Sequence, residues 1–262
     1  MNQTSKRWAW VLVLTAGLAA SLAAQTESGN GQALTGGAEF DFNSRYIWRA
    51  LAWSQGAAWQ PSVWLGRSGF ELSVWTNFPL GDEPTKRKFN EIDLRLSFTK
   101  EWGHFTLAPA FNVYSYPNQD KEENPTTGEF ELLASYAFAP FTISTTHYFD
   151  VWDNAGGYIG EVALEFEEAP ADGWTFEAAA RLSLGNAKFH EYYVPIEKAA
   201  LSALVFEVGL TYALSSTVYL RPHAEWTTLL DGEVKKAVAA SPWVFSGKAS
   251  LLNFGLALGL AF

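Results

Sequence analysis

From Leu34 onward, apolar and polar residues alternate one by one. Leu34, Ala38, Phe40, Phe42, Tyr46 and Trp48 take even positions, and Glu39, Asp41, Asn43, Arg45 and Arg49 fall between them. A β-strand sends successive side chains to opposite faces, so one face of this segment is apolar and the other charged. The same period returns along the chain. Ile92, Leu94, Leu96 and Phe98 oppose Glu91, Asp93 and Arg95; Phe70, Leu72 and Val74 oppose Glu71; Phe130 and Leu132 oppose Glu129 and Glu131. Val162, Leu164 and Phe166 oppose Glu161, Glu165 and Glu167, and Phe176, Ala178 and Leu182 oppose Glu177 and Arg181. A weaker segment, Trp59 to Leu65, is interrupted by Pro61. Counted through, the pattern predicts about twelve strands, with no charged residue on the apolar face of a strand core.

Alternation alone fits a soluble sandwich as well as a barrel. Three further features favour a barrel in the outer membrane. The chain ends on an unbroken alternating strand, in which Phe254, Leu256, Leu258, Leu260 and the final Phe262 share one face. This ending looks like the C-terminal strand of bacterial outer-membrane barrels, whose last aromatic is read by the assembly machinery. Connections at 67–69, 101–103, 139–140, 168–173 and 213–216 read as short turns, and those at 50–57, 80–89, 117–128, 151–157, 185–199 and 229–243 as longer loops. The two classes alternate, as short periplasmic turns and longer external loops do. Aromatics sit beside both classes: Phe98, Phe105, Phe138, Phe141, Trp174 and Tyr212 near the turns, and Trp48, Phe78, Phe149 and Trp226 near the loops. Two such rows are the girdles of a barrel at the lipid headgroup level. The expected fold is all-β: one transmembrane antiparallel up-and-down β-barrel over residues 33–262.

Composition narrows the partners. The 262 residues are 48% hydrophobic and 16% aromatic, yet mean hydropathy is only −0.04. That excludes a bundle of apolar spanning helices, and the absence of cysteine excludes a disulfide scaffold. The formal charge of −10 argues against nucleic acid, which needs a basic surface. Lys6 and Arg7, the uncharged run Trp8 to Leu22 and the small residues Ser21, Ala23 and Ala24 form a Sec-type signal. We expect residues 1–24 to be cleaved, residues 25–32 to form a short periplasmic segment, and the mature charge to be −12.

The lumen face carries the candidate chemistry. Residues expected to line a pore are Glu39, Asp41, Arg45, Arg49, Glu71, Glu91, Asp93, Arg95, Glu131, Glu161, Glu165, Glu177, Arg181, Glu207, Arg221, His223 and Glu225. Twelve strands lie between filled and channel-forming barrels. Many unpaired charges in a dry interior would each cost about several kcal/mol, so the lumen should hold water and prefer cations weakly. Arg45 and Arg95 fall midway along the first and fourth strands, and Arg181 and Arg221 along the ninth and eleventh. They either brace the wall by pairing with carboxylates or tune selectivity.

The stretch Asn43-Ser44-Arg45-Tyr46-Ile47-Trp48-Arg49-Ala50 resembles the first strand of the TorF-like porins, with their Tyr-aliphatic-aromatic-Arg-Gly signature. Gln60-Pro61-Ser62-Val63, Gly69-Phe70 and Ser73-Val74-Trp75-Thr76-Asn77 continue the likeness, which covers roughly residues 38–80. Ala50 stands where that family usually has Gly. The resemblance implies an outer-membrane channel of unassigned solute. Expected partners are therefore outer-membrane lipids and lipopolysaccharide, the barrel-assembly machinery and small hydrophilic solutes, with no cofactor. Lys86-Arg87-Lys88 could contact lipopolysaccharide. The other readings are a barrel lipid hydrolase, for which His147 is the candidate, and a closed structural or adhesive barrel. The hydrolase reading lacks an outward serine, since Ser144 falls on the opposite face from His147. Carboxylates at Glu161, Glu165, Glu167 and Glu168 lie too linearly to wrap a metal ion.

Overall fold

A computed structural model describes residues 33–82, 85, 87–241 and 244–262. The expected signal peptide and the segment 25–32 lie outside the described residues. The strands are β1 (Leu34–Asn43), β2 (Ile47–Trp48), β3 (Leu51–Ala52), β4 (Ala58–Arg67), β5 (Phe70–Pro79), β6 (Glu91–Phe98), β7 (Lys100–Trp102) and β8 (Phe105–Ser115). They continue as β9 (Thr127–Phe138), β10 (Phe141–Asp150), β11 (Tyr158–Ala171), β12 (Trp174–Gly185), β13 (Ala200–Ala213), β14 (Val218–Leu229) and β15 (Ser250–Ala261). Helix α1 (Ala187–Tyr193) follows β12, and α2 (Gly232–Ala240) follows β14. β6 and β7 are one wall strand broken at Thr99, since both pair with β8. β1 pairs with β15, and β6 with β8, so the antiparallel sheet closes as a barrel of 12 strands.

Closure follows from the alternation. Leu252, Phe254, Leu256, Leu258, Leu260 and Phe262 are between 41% and 59% exposed, while Asn253, Ala257 and Ala261 between them are buried. An apolar face this continuous is stable only with lipid as its solvent. At the short-turn rim the rings meet in pairs: Phe70 with Phe98 at 4.7 Å, Phe138 with Phe141 at 5.9 Å, and Trp174 with Tyr212 at 4.4 Å. Gly69, Gly103 and Gly173 supply the positive φ of three of these turns. The turn expected at 168–173 is shorter, because β11 runs on through an irregularity between Glu168 and Ala171. Pro61 does not interrupt its strand. It lacks an N–H, the β4–β5 ladder skips residues 60–61, and the Thr76 hydroxyl donates to the Pro61 carbonyl at 3.1 Å.

The last strand is thin on its inner side. Gly255 and Gly259 leave room there, since a Cβ at either would run into the His223 or Tyr219 ring lying across it from β14. The rings fill what the glycines leave open.

One expectation fails at the external end. The first strand was expected to continue through Trp48, but β1 stops at Asn43 and residues 44–57 turn into the lumen. The Asn253 side chain catches the chain as it leaves the wall, its Oδ1 accepting from Ser44 Oγ at 2.9 Å and from Arg45 N at 3.0 Å. Trp48 is therefore no girdle residue. It meets Tyr193 at 5.1 Å and Tyr114 at 6.0 Å inside the barrel. The long loops expected at 185–199 and 229–243 join wall strands as loops, and each also contains a short helix. Asn186 caps α1 by accepting from Phe189 N at 2.8 Å, and Asp231 caps α2 by accepting from Glu233 N at 2.9 Å and Val234 N at 3.1 Å.

Asp231 also accepts from Lys198 Nζ at 2.8 Å. The Lys198 bond, with the backbone N–H of Val234, lowers the Asp231 carboxyl from 3.8 to about 2. A depressed folded value means that this support is full above about pH 4 and disappears as the pH falls through 2. Amide exchange across residues 232–240, taken relative to its intrinsic rate at each pH, is therefore expected to speed up between pH 4 and 2. In Asp231→Asn, which still caps but does not titrate, that acceleration should vanish; its persistence would assign the loss to another group.

Candidate functional site

The inward hairpin β2–β3 turns on Arg49 and Ala50, both with positive φ, at 50° and 64°. A two-residue hairpin of this hand requires left-handed backbone at both central positions. Ala50 thus occupies a conformation that suits Gly, and its methyl is buried with Leu51, Phe189, Tyr193, Val234 and Val238. That cluster joins the hairpin to α1 and α2 and forms an apolar plug in the external mouth. His190 ties α1 to the wall, with Nδ1 2.6 Å from the Lys198 carbonyl and Nε2 2.8 Å from Ser202 Oγ. Burial pushes the His190 imidazole below 6.5.

Arg49 crosses the lumen under the plug. Its guanidinium binds Glu129 bidentately, with Nη1 donating to Oε1 at 2.7 Å, and Glu129 also accepts from Tyr114 at 2.9 Å. The guanidinium carbon lies 4.1 Å from the Trp48 ring and 4.7 Å from the Tyr148 ring. Paired with a carboxylate and stacked on aromatics, this arginine fixes the inward fold to the opposite wall. Arg45 and Arg49 were expected within the first strand; both lie beyond its end, because the chain has already left the wall.

Below the plug is a cavity of about 280 Å³. It is bordered by every residue expected to line a pore except Glu71 and Glu91. Glu91 instead faces Tyr46, and Glu71 sits near the short-turn end opposite Ser97. Three arginines and a histidine within the barrel brace: Arg95 binds Glu131 at 2.9 and 3.2 Å, Arg181 binds Glu207, Arg221 binds Glu39 at 2.8 Å, and His223 meets Asp41 at 3.0 Å. Arg45 borders the cavity without a side-chain ion pair among the described residues.

The two sides of the cavity differ. On one side a chain of amides runs from Asn253 to Asn43 (2.7 Å), Gln60 (2.9 Å), Asn77 (3.0 Å) and Asn90 (2.7 Å). On the other, strands β11 to β14 present Glu161, Glu165, Glu177, Glu207 and Glu225. The amide chain was not foreseen, although inward Asn or Gln on neighbouring strands was a readable signal.

The family model described as "MltA-interacting protein MipA" matches residues 54–261. The chain belongs to the MipA family. The match begins within the inward fold and takes in all of the wall after β1, so this MipA-family barrel carries both acidic wall and plug helices inside the matched region. Comparison with curated proteins finds no match. Among solved structures, the NanC porin in a rhombohedral crystal form is similar at 14% identity and a TM-score of 0.52, covering 86% of this chain and 98% of the porin. The KdgM porin covers the same shares at 11% identity and a TM-score of 0.49. At such identities the likeness to NanC is one of fold. On the outer face, His147 is occupied by Thr145 Oγ1 at 3.2 Å and Tyr158 OH at 2.9 Å, while Ser144 points into the lumen and donates to Glu165. The residues of the hydrolase reading therefore lie on opposite faces of the wall.

Proposed function

We propose that this MipA-family barrel is an outer-membrane channel through which small hydrophilic solutes diffuse passively, with a weak preference for cations. The observation that carries the reading is the charged cavity inside a closed barrel, in which acids outnumber the bases that neutralise them. Such a lumen concentrates cations and repels anions. Four of the five lumen arginines brace the wall or the inward fold. Arg45 is left to set selectivity. The TorF-like resemblance belongs to the same reading, though its signature residues form the inward hairpin rather than a strand. Lipids would contact the apolar band, Arg87 and Lys88 would meet lipopolysaccharide together with Lys86, which lies outside the described residues, and the terminal strand with Phe262 would be read by the assembly machinery.

Planar-bilayer recording of the refolded mature chain tests this. Discrete conductance steps with modest cation selectivity are expected, and their absence would overturn the channel. Arg45→Gln should move the reversal potential further toward cations; an unchanged potential removes Arg45 from selectivity.

A second reading is a closed barrel whose loops hold a partner. The apolar plug at the external mouth favours it, and the family description names an interaction with MltA. It predicts no conductance in the intact protein.

A further inference from the structure

The acidic side of the cavity is more charged than the fold needs. Arg181 binds Glu207 and Arg221 binds Glu39, but Glu161, Glu165, Glu177 and Glu225 have no ion pair among the described residues. Glu207 and Glu225 stand directly opposite on β13 and β14, a like-charge pairing that destabilises a sheet. Glu177 is only 3% exposed and Glu165 4%, and both border the cavity. Among the described residues, neither carboxylate oxygen of Glu177 has a hydrogen-bond partner, nor does Oε2 of Glu165. Buried carboxylate oxygens in that state are costly to the fold. Gly209, opposite Glu177 on β13, leaves the room in which that carboxylate lies, since a Cβ there would stand 3.3 Å from its Oε2.

The spacing limits what could satisfy them. The register pairs Glu165 with Ala179 and Glu167 with Glu177, so Glu165 and Glu177 are diagonal neighbours, about 7–8 Å apart along the wall. Glu161 lies four residues up the same strand from Glu165, about 13 Å away at strand rise. No three acidic or histidine side chains among the described residues are close enough to hold a metal ion. An elongated cation with several charges along its length fits this spread. Its methylene segments would face Trp75 on the opposite side of the same cavity.

We propose that the wall of β11 to β14 is a binding site for linear aliphatic polyamines, with Glu165 and Glu177 as its inner anchors and Glu161 and Glu225 receiving the outer ammonium groups. This rests on the channel reading and names the solute class the channel would favour.

The test is spermidine titration of the refolded mature protein in detergent, followed by calorimetry and by tryptophan fluorescence, neither of which needs ion flow. Saturable binding is expected, and the isosteric Glu165→Gln/Glu177→Gln variant should weaken it at least tenfold. Diacetylated spermidine, which keeps the length but loses both terminal charges, should also bind at least tenfold more weakly, and this comparison holds even if the double variant fails to refold. Magnesium at equal charge concentration should not displace spermidine. Equal affinity for spermidine and its diacetyl form, equal displacement by magnesium, or unchanged binding in a folded double variant would each overturn the site. Bilayer recording on the same preparation separates the two readings. Binding without conductance keeps the site and removes the channel; conductance without binding keeps the channel and removes the site.

Discussion

Arg49→Ala is expected to open the barrel. The substitution removes the cation that pairs with Glu129 across the lumen and stacks on Trp48 and Tyr148. Side-chain exposures of 6% for Arg49 and 3% for Glu129 make this a buried pair. Truncating one partner of such a pair leaves an uncompensated charge and costs about 3–5 kcal/mol. The backbone at 49 is left-handed with either residue, so the hairpin turn itself should survive. The cost falls instead on the contact between the inward fold and the wall. Residues 44–57 should loosen as a unit, carrying Trp48 and Trp53 into a wetter environment. Larger conductance steps and red-shifted tryptophan emission are expected together. If conductance and emission both match the parent, Arg49 does not hold the plug.

Leu256→Arg is expected to be the most damaging change on the outer face. Leu256 lies mid-way along β15, 47% exposed and flanked by Phe42 and Pro222 on the neighbouring strands. An arginine at the bilayer midplane of a barrel costs about 2–4 kcal/mol, falling to about 0–1 near the interfaces. Leu252→Arg, in register with Trp226 near the long-loop end, should therefore cost much less. Urea unfolding of both variants in lipid vesicles measures the difference. Equal costs would mean that this face is not a lipid band.

The barrel was readable because its rule is local: each residue's face follows from the parity of its position. That rule placed Glu39, Asp41, Asp93, Arg95, Glu131, Arg181 and Arg221 around the cavity without knowledge of any partner. The rule fails where a strand stops. Nothing in the parity of Ser44, Tyr46 and Trp48 separates an outward girdle from an inward fold. The deciding contact, from Asn253 to Ser44 and Arg45, joins residues more than 200 positions apart. The helices were hidden for a different reason. Both are short and begin in loops that earn their order from capping by Asn186 and Asp231 and from packing on the plug, rather than from a long amphipathic repeat. The pairing of individual arginines was hidden as well, since Arg95 reaches past β8 to Glu131 on β9, and register is invisible to composition.

The thin inner side of β15 bears on how the cylinder stays shut. Tyr219 and Arg221 on β14 reach over this strand to Glu39 on β1, at 2.6 and 2.8 Å, and His223 reaches over it to Asp41. These crossbars bolt together the strands on either side of the one that closes the ring. None of them exists in the β14–β15 hairpin alone or in the β1–β15 pair alone. The seam between first and last strand, held only by backbone bonds in a simpler cylinder, here resists parting sideways into the bilayer.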